Sequence, residues 1–238
     1  MRHLVFILSF LILSCGIVVG QKANPYQWTN ISVQYHPYQK IKVQTNIQNR
    51  INLSTGAMAQ RSIAVQGEYK INSFLNIGAH YRFCQFPNEY SEINQHKLAN
   101  GNRWGACIEW NPLKMLKVKL PFQLVYRGQW QSESYLFLRN KNIFRQQLSI
   151  QPQLKGKKWQ PSLDFEWFYR TNQNQYWIAD DLIVTGGTRE FRYQLNFDYK
   201  ISDQQKLQIF ALYRQFEIAK TNQIVFGIGY HFKINGPR

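Results

Sequence analysis

The chain has 238 residues, a formal net charge of +16, 16% aromatic residues and a mean hydropathy of −0.44. Such a chain is too polar for a bundle of membrane-spanning helices, each of which needs about 20 consecutive apolar residues, and its length suits one domain. No Pro/Ser-rich linker, low-complexity tract or block of like charge divides it.

The opening segment sets the compartment. Arg2 and His3 precede an apolar run from Leu4 to Val19, and Val18-Val19-Gly20 before Gln21 offers residues that a signal peptidase accepts. A cleaved signal peptide is predicted over 1–20, because the run is short for a span and no basic stop-transfer cluster follows. Cys15 is not read as a lipidation site, since Ile12-Leu13-Ser14 is a poor match before it and the apolar run continues after it. Residues 21–39, with Trp28, Ile31, Val33 and Tyr35, form an N-terminal segment or an extra strand. The remainder, 40–238, carries one repeated pattern.

From Lys40 to Ile51, Ile41, Val43, Ile47 and Ile51 oppose Lys42, Gln44, Asn46, Gln48 and Arg50, a period of two over a full strand length. Residues 57 to 70 are weaker: Ile63, Val65 and Tyr69 share a face with Arg61. Leu75, Ile77, Ala79, Tyr81 and Phe83 then alternate with Asn76, Gly78, His80, Arg82 and Cys84. From Lys117 to Trp130 the alternation is strongest, with Val118, Leu120, Phe122, Leu124, Tyr126 and Trp130 against Lys119, Gln123, Arg127 and Gln129. Further segments cover 103–110, 143–154, 159–170, 190–200, 206–216 and 223–234. Ten strands follow, twelve being the alternative, most near the nine to eleven residues of a tilted membrane strand. The predicted fold is all-β, an antiparallel up-and-down transmembrane barrel.

Connections support that reading. Short turns at 71–73, 111–115, 155–158 and 201–205 alternate with longer links at 85–102, 131–142 and 171–189, the asymmetry of periplasmic turns and extracellular loops. Two links, 52–56 and 217–222, are short for the outer rim. Pro152 and Pro161 fall opposite one another near the short-turn rim, as does Pro121, where a lost ladder bond is tolerable. The predicted lipid face includes Phe144, Leu148, Ile150, Leu163, Phe165, Phe191, Leu195, Phe197, Ile209, Phe226, Ile228 and Phe232. Trp110, Trp159 and Tyr199 mark one aromatic belt; Trp104, Trp130, Tyr169 and Tyr213 mark the other.

The inward face holds Arg50, Arg82, Arg103, Arg127, Arg145, Arg170, Arg192 and Arg214, with Glu109, Asp164, Glu166, Glu190 and Asp198 among them. Two roles fit these lumen-lining residues. They stiffen a barrel that has no apolar core, because a guanidinium fork serves two carboxylates or amides at once, or they form an anion-preferring constriction. A barrel this small excludes large solutes. Lys114, Lys117, Lys119, Lys155, Lys157, Lys158, Lys200 and Lys206 gather around the short turns, whereas Glu89, Glu92, Glu133, Asp180 and Asp181 fall in the long links. Basic turns suit anionic lipid headgroups, so outer-membrane lipids are expected partners and small anionic solutes candidate ones. Nucleic acid is not expected, because an exported chain does not meet it.

Cys84 and Cys107 flank the 85–102 link on the inward face. Symmetric closure of that hairpin opposes them, giving either a disulfide worth about 3 kcal/mol or two reduced small residues. No metal cluster or Cys-x-x-Cys motif appears, and no cofactor is expected. A membrane-embedded lipid hydrolase or deacylase would draw on His80, His96 or His231, but no serine partner and no Gly-x-Ser-x-Gly is evident. The other alternative is a soluble exported β-sandwich or lipid-binding barrel.

Thr188-Arg189-Glu190-Phe191-Arg192-Tyr193-Gln194-Leu195 followed by Tyr199-Lys200-Ile201, together with Tyr69-Lys70-Ile71-Asn72, Leu75-Asn76-Ile77-Gly78 and Trp28-Thr29, resembles a family of Gram-negative outer-membrane barrels known as the domain of unknown function DUF2490. The resemblance covers most of the mature chain, implies an outer-membrane location and brings no catalytic or ligand-binding residues with it. Gly227-Ile228-Gly229-Tyr230-His231-Phe232 also resembles the signal that the outer-membrane assembly machinery reads, making that machinery an implied partner. It departs in ending on Asn235-Gly236-Pro237-Arg238 and in placing Val225 where a polar residue is usual.

Overall fold

The computed structural model describes residues 23–87, 98–118, 120–135, 138–154, 156–171, 175–178, 181–184, 187–217 and 222–236. The alternating segments form one sheet closed on itself. Its strands are β1 (Ala23–Tyr38), β2 (Ile41–Asn52), β3 (Met58–Lys70), β4 (Leu75–Pro87), β5 (Leu98–Trp110), β6 (Phe122–Tyr135), β7 (Leu138–Pro152), β8 (Trp159–Arg170), β11 (Gly187–Lys200), β12 (Gln205–Phe216) and β13 (Asn222–Asn235), and the link between β8 and β11 adds a separate hairpin of β9 (Gln175–Ile178) and β10 (Asp181–Val184). The order around the barrel is β1-β13-β12-β11-β8-β7-β6-β5-β4-β3-β2.

Eleven strands close this sheet, and the eleventh is β1, the segment that the sequence left open between a flanking piece and a strand. An odd number of strands running alternately up and down must close with one parallel pair. That pair is β1–β13, in register from Ala23–Asn222 to His36–Asn235, while every other neighbouring pair is antiparallel. The barrel is antiparallel as expected, with this seam as its parallel pair. One consequence is that β1 starts at the loop rim and β13 ends at the turn rim.

Two corrections concern strand ends. Asn111 accepts a hydrogen bond from the Lys114 backbone N–H (2.9 Å) and Pro112 leads the helical turn α1 (Pro112–Met115). The helical turn fills the expected short turn at 111–115, but the strand after it begins at Phe122 and not at 116, so Val118 and Leu120 lie exposed in the connection before β6. A proline at the first helical position and an Asn cap together favour that turn. At the other rim the strands run past their expected ends, leaving only 136–137 between β6 and β7 instead of a link over 131–142. Glu133 consequently sits inside β6, 5% exposed, and not in a loop.

Register explains how Pro152 and Pro161 are tolerated. Antiparallel pairing of β7 with β8 stops at Ile150–Leu163 before reaching either proline, so no ladder bond between these strands is demanded of them. Outside the barrel, Ile31, Ile63, Val65, Phe226 and Ile228 stand between about two fifths and a little over half exposed. A continuous apolar surface of this kind is far larger than a water-soluble monomer carries. Two aromatic groups border it: Trp159 packs on Tyr199 (4.7 Å) at the turn rim, and Trp104 on Trp130 (4.9 Å) with Tyr193 near Tyr213 (6.3 Å) toward the loops. A single closed sheet with a polar interior is neither a two-sheet sandwich nor a greasy calyx, which removes the soluble alternative. Among the described residues no helix is long and apolar enough to cross a membrane, which says nothing about strands.

Candidate functional site: the charged barrel interior

Eleven strands spaced about 4.8 Å apart and tilted near 40° place the backbone roughly 11 Å from the axis. Long side chains from non-adjacent strands therefore meet. The most connected wall lies on β7, β8, β11 and β12, where alternation turns Arg145, Glu166, Arg192, Glu190 and Arg214 inward. Arg145 pairs with Glu166, and Arg192 reaches the other Glu166 oxygen at 3.5 Å. Glu190 accepts from Arg192 Nε at 2.5 Å and Nη2 at 3.1 Å, and from Arg214 Nε at 2.5 Å. Five charges thus alternate in sign across four strands. Arg214 also donates to Gln223 Oε1 (2.7 Å), and Asp164 accepts from Ser149 Oγ (2.5 Å) and Asn196 Nδ2 (2.9 Å).

A compact apolar cluster braces this wall. Trp28, Phe210, Leu212 and Val225 are buried together, with Tyr26 against them. Arg50 lies over the Trp28 ring at 3.9 Å and Arg214 at 5.6 Å; Arg192 and Arg145 lie over Phe168 at 4.1 and 5.3 Å. Guanidinium on an aromatic face is favourable where water is scarce. Gly227 is required here, because a Cβ would sit 1.9 Å from Phe210 Cζ.

The opposite wall is looser. Arg103 pairs with Glu133 at 2.5 Å, Arg127 reaches Glu68 across the interior at 3.6 Å, and Lys42 pairs with the same Glu68. Glu109 accepts from Asn76 Nδ2 (3.0 Å), while back on β11 and β12 Asp198 pairs with Lys206 (2.8 Å). Between β2 and β7 these side chains leave a cavity of about 170 Å³. Its lining includes Arg82, Arg103, Arg127, Arg145, His80 and Gln129 and contains no carboxylate. Arg170 is buried at the loop end of β8.

The structure does not bring the thirteen inward residues named from the sequence into one ring: five form the relay, Arg50 lies over Trp28, Arg170 is buried at the loop end of β8, and the others are divided among smaller pairs and the cavity. Several partners were missed. Glu68 and Glu133 each complete an ion pair, and strict parity carried through residues 58–70 and 122–135 would have placed them inward; Lys42, already on the polar face of 40–51, is the partner of Glu68. Trp28, Phe210, Leu212 and Val225 were missed for a different reason, since apolar residues on the inward parity contradict the rule used to find the face.

Of the two readings of the cysteines, the structure has the reduced pair, and the symmetric closure that would oppose them does not occur. Cys84 pairs in register with Gly101, and Cys107 with Gly78, because the β4–β5 link is short relative to strands that run past it. Six residues of offset separates them by roughly 20 Å, far beyond disulfide reach. Both are free and buried: Gln60 Nε2 lies 3.2 Å from Cys84 Sγ, and Arg127 Nη2 3.3 Å from Cys107 Sγ. Of the candidate catalytic histidines, His80 takes a hydrogen bond from Gln129 Nε2 (2.9 Å), and His231 Nδ1 lies 2.5 Å from Ser32 Oγ. That serine partner was not foreseen. His96 and the leader 1–20 lie outside the described residues.

Apolar without and charged within, this molecule is a closed β-barrel of the transmembrane class. The chain belongs to the family described as "Protein of unknown function (DUF2490)", which it matches over residues 27–225, from β1 into β13. No curated protein sequence matches it. Among solved structures it is similar to a KdgM porin, at 12% identity with a TM-score of 0.43, covering 78% of this chain and 81% of that one. It is also similar to outer-membrane expressed OmpT of Vibrio cholerae, at 8% identity with a TM-score of 0.38, covering 74% of this chain and 54% of that one.

Proposed function

We propose that this protein is an integral outer-membrane barrel of a Gram-negative bacterium, exported by its leader, whose interior forms a narrow passage favouring small anions. The observation that carries the proposal is the cation surplus of a nearly closed lumen. Arg50 and Arg82 have no carboxylate partner among the described residues, whereas Glu68, Glu166 and Glu190 are each shared between two cations. Fixed positive charge in a narrow, low-dielectric space repels cations and attracts anions. The relay on β7–β12 makes the wall stiff, and the bore left beside it is too small for large solutes. Lysines at the turn rim suit anionic headgroups of the inner leaflet.

Planar-bilayer recording of the purified barrel under a salt gradient tests this. Anion preference, reduced in Arg127→Ala, is the expected result; silence at all voltages leaves a structural role only. The hydrolase reading has one contact in its favour, Ser32 with His231, yet Ser32 is 2% exposed and faces the interior, away from acyl esters in the bilayer. Turnover of a fluorescent phospholipid that is lost in Ser32→Ala would restore it.

A further inference from the structure

Within the interior one guanidinium is treated differently from the rest. Arg82 on β4 lines the cavity between β2 and β7 and among the described residues has neither an ion pair nor a hydrogen bond, while Arg103 stands directly opposite it on β5. Like charges opposed across a strand pair repel. An enclosed charge without a counter-ion is costly. Three more donors are orphaned around the same space: the Nε–H groups of Arg103, Arg127 and Arg145 are buried without a partner, although each of these arginines spends another nitrogen on Glu133, Glu68 or Glu166.

We propose that this cavity is a binding site for one tetrahedral oxyanion of the sulfate or phosphate type, held by Arg82 with Arg103, Arg127 and Arg145 around it. The inference deepens the anion-favouring reading of the lumen and rests on it. A planar carboxylate is served by one guanidinium fork, but here four guanidiniums converge from four adjacent strands, so their N–H groups approach from different directions and match oxygens that diverge. The cavity, about 170 Å³, accommodates such an ion together with ordered water. Gln129 and His80, hydrogen-bonded to each other on the same wall, supply neutral polar surface and no competing negative charge. Bound there, the ion neutralises Arg82 and removes the repulsion between Arg82 and Arg103. The site then holds an oxyanion in preference to chloride, which offers neither the charge nor the divergent acceptors.

Calorimetric titration of the barrel, folded in detergent, with sodium sulfate, sodium phosphate, sodium acetate and sodium chloride at constant ionic strength tests the site. Expected is saturable one-to-one binding of sulfate and phosphate, weaker binding of acetate and chloride, and a loss of about tenfold or more in Arg82→Gln. Arg61→Gln, on the outer face, leaves the affinity unchanged. No saturable sulfate binding, equal binding of acetate, or unaltered affinity in Arg82→Gln overturns the proposal. Should Arg82→Gln fail to reach the folded, heat-modifiable form, Arg82→Lys is read instead: it keeps the charge but not the fork, several-fold weaker binding upholds the site and unchanged binding overturns it. Bilayer recording separates this from the passage. Sulfate binding by a barrel that never conducts upholds the site and sinks the passage, whereas anion-selective conduction without sulfate binding does the reverse.

Discussion

Replacing Glu190 by Gln tests whether the relay holds the barrel together. Glu190 is 7% exposed and receives three hydrogen bonds, two from Arg192 and one from Arg214, which oppose each other in register on β11 and β12. The amide keeps the volume and removes the charge, so two guanidiniums are left face to face, with Arg50 close by on the same Trp28 ring as Arg214. Removing one partner of a buried ion pair costs about 3–5 kcal/mol. Arg192 keeps Glu166 at 3.5 Å and Arg214 keeps Gln223 at 2.7 Å, which points to the lower end, about 3 kcal/mol. Urea titration of folding into phospholipid vesicles, read by heat-modifiable gel migration and by tryptophan fluorescence, measures it. Adding Arg214→Gln to Glu190→Gln should recover part of the loss, because it removes the charge left unpaired. A loss below about 1 kcal/mol would refute the reasoning, because the interior would then be wet enough to screen its own charges.

Ile228→Arg, on the outer face midway along β13, should cost about 2–4 kcal/mol in vesicles if acyl chains surround the barrel; an unchanged midpoint would mean that this face meets water. Gly227→Ala drives a methyl group into Phe210 and should cost about 1–3 kcal/mol, with Phe210→Leu relieving it in the double variant; the same urea titration reads both. Cys84 and Cys107 should each take up a maleimide only after unfolding, and reductant should leave gel mobility unchanged. A faster-migrating species that reductant abolishes would reinstate the bridge.

Which side chains face outward is a local property, and residues 40–51, 75–83 and 143–154 display it without help from the rest of the chain. Successive Cβ atoms on a strand point to opposite faces, so a run such as Val43, Ile47 and Ile51 against Gln44, Gln48 and Arg50 carries its own orientation. The barrel class and the inward position of the arginines follow from that alone. Closure does not. Whether β1 joins the sheet, and in which direction, is decided by which edge remains free once the other ten strands have paired, and an eleventh strand can close the ring only in parallel. The same holds for partners within the interior. Arg127 meets Glu68 because β6 and β3 lie across a narrow lumen, and Cys84 misses Cys107 because the β4–β5 register is offset by six residues. Alternation specifies a face, residue by residue; distance across the barrel depends on strand number and register, which the sheet acquires only when it closes.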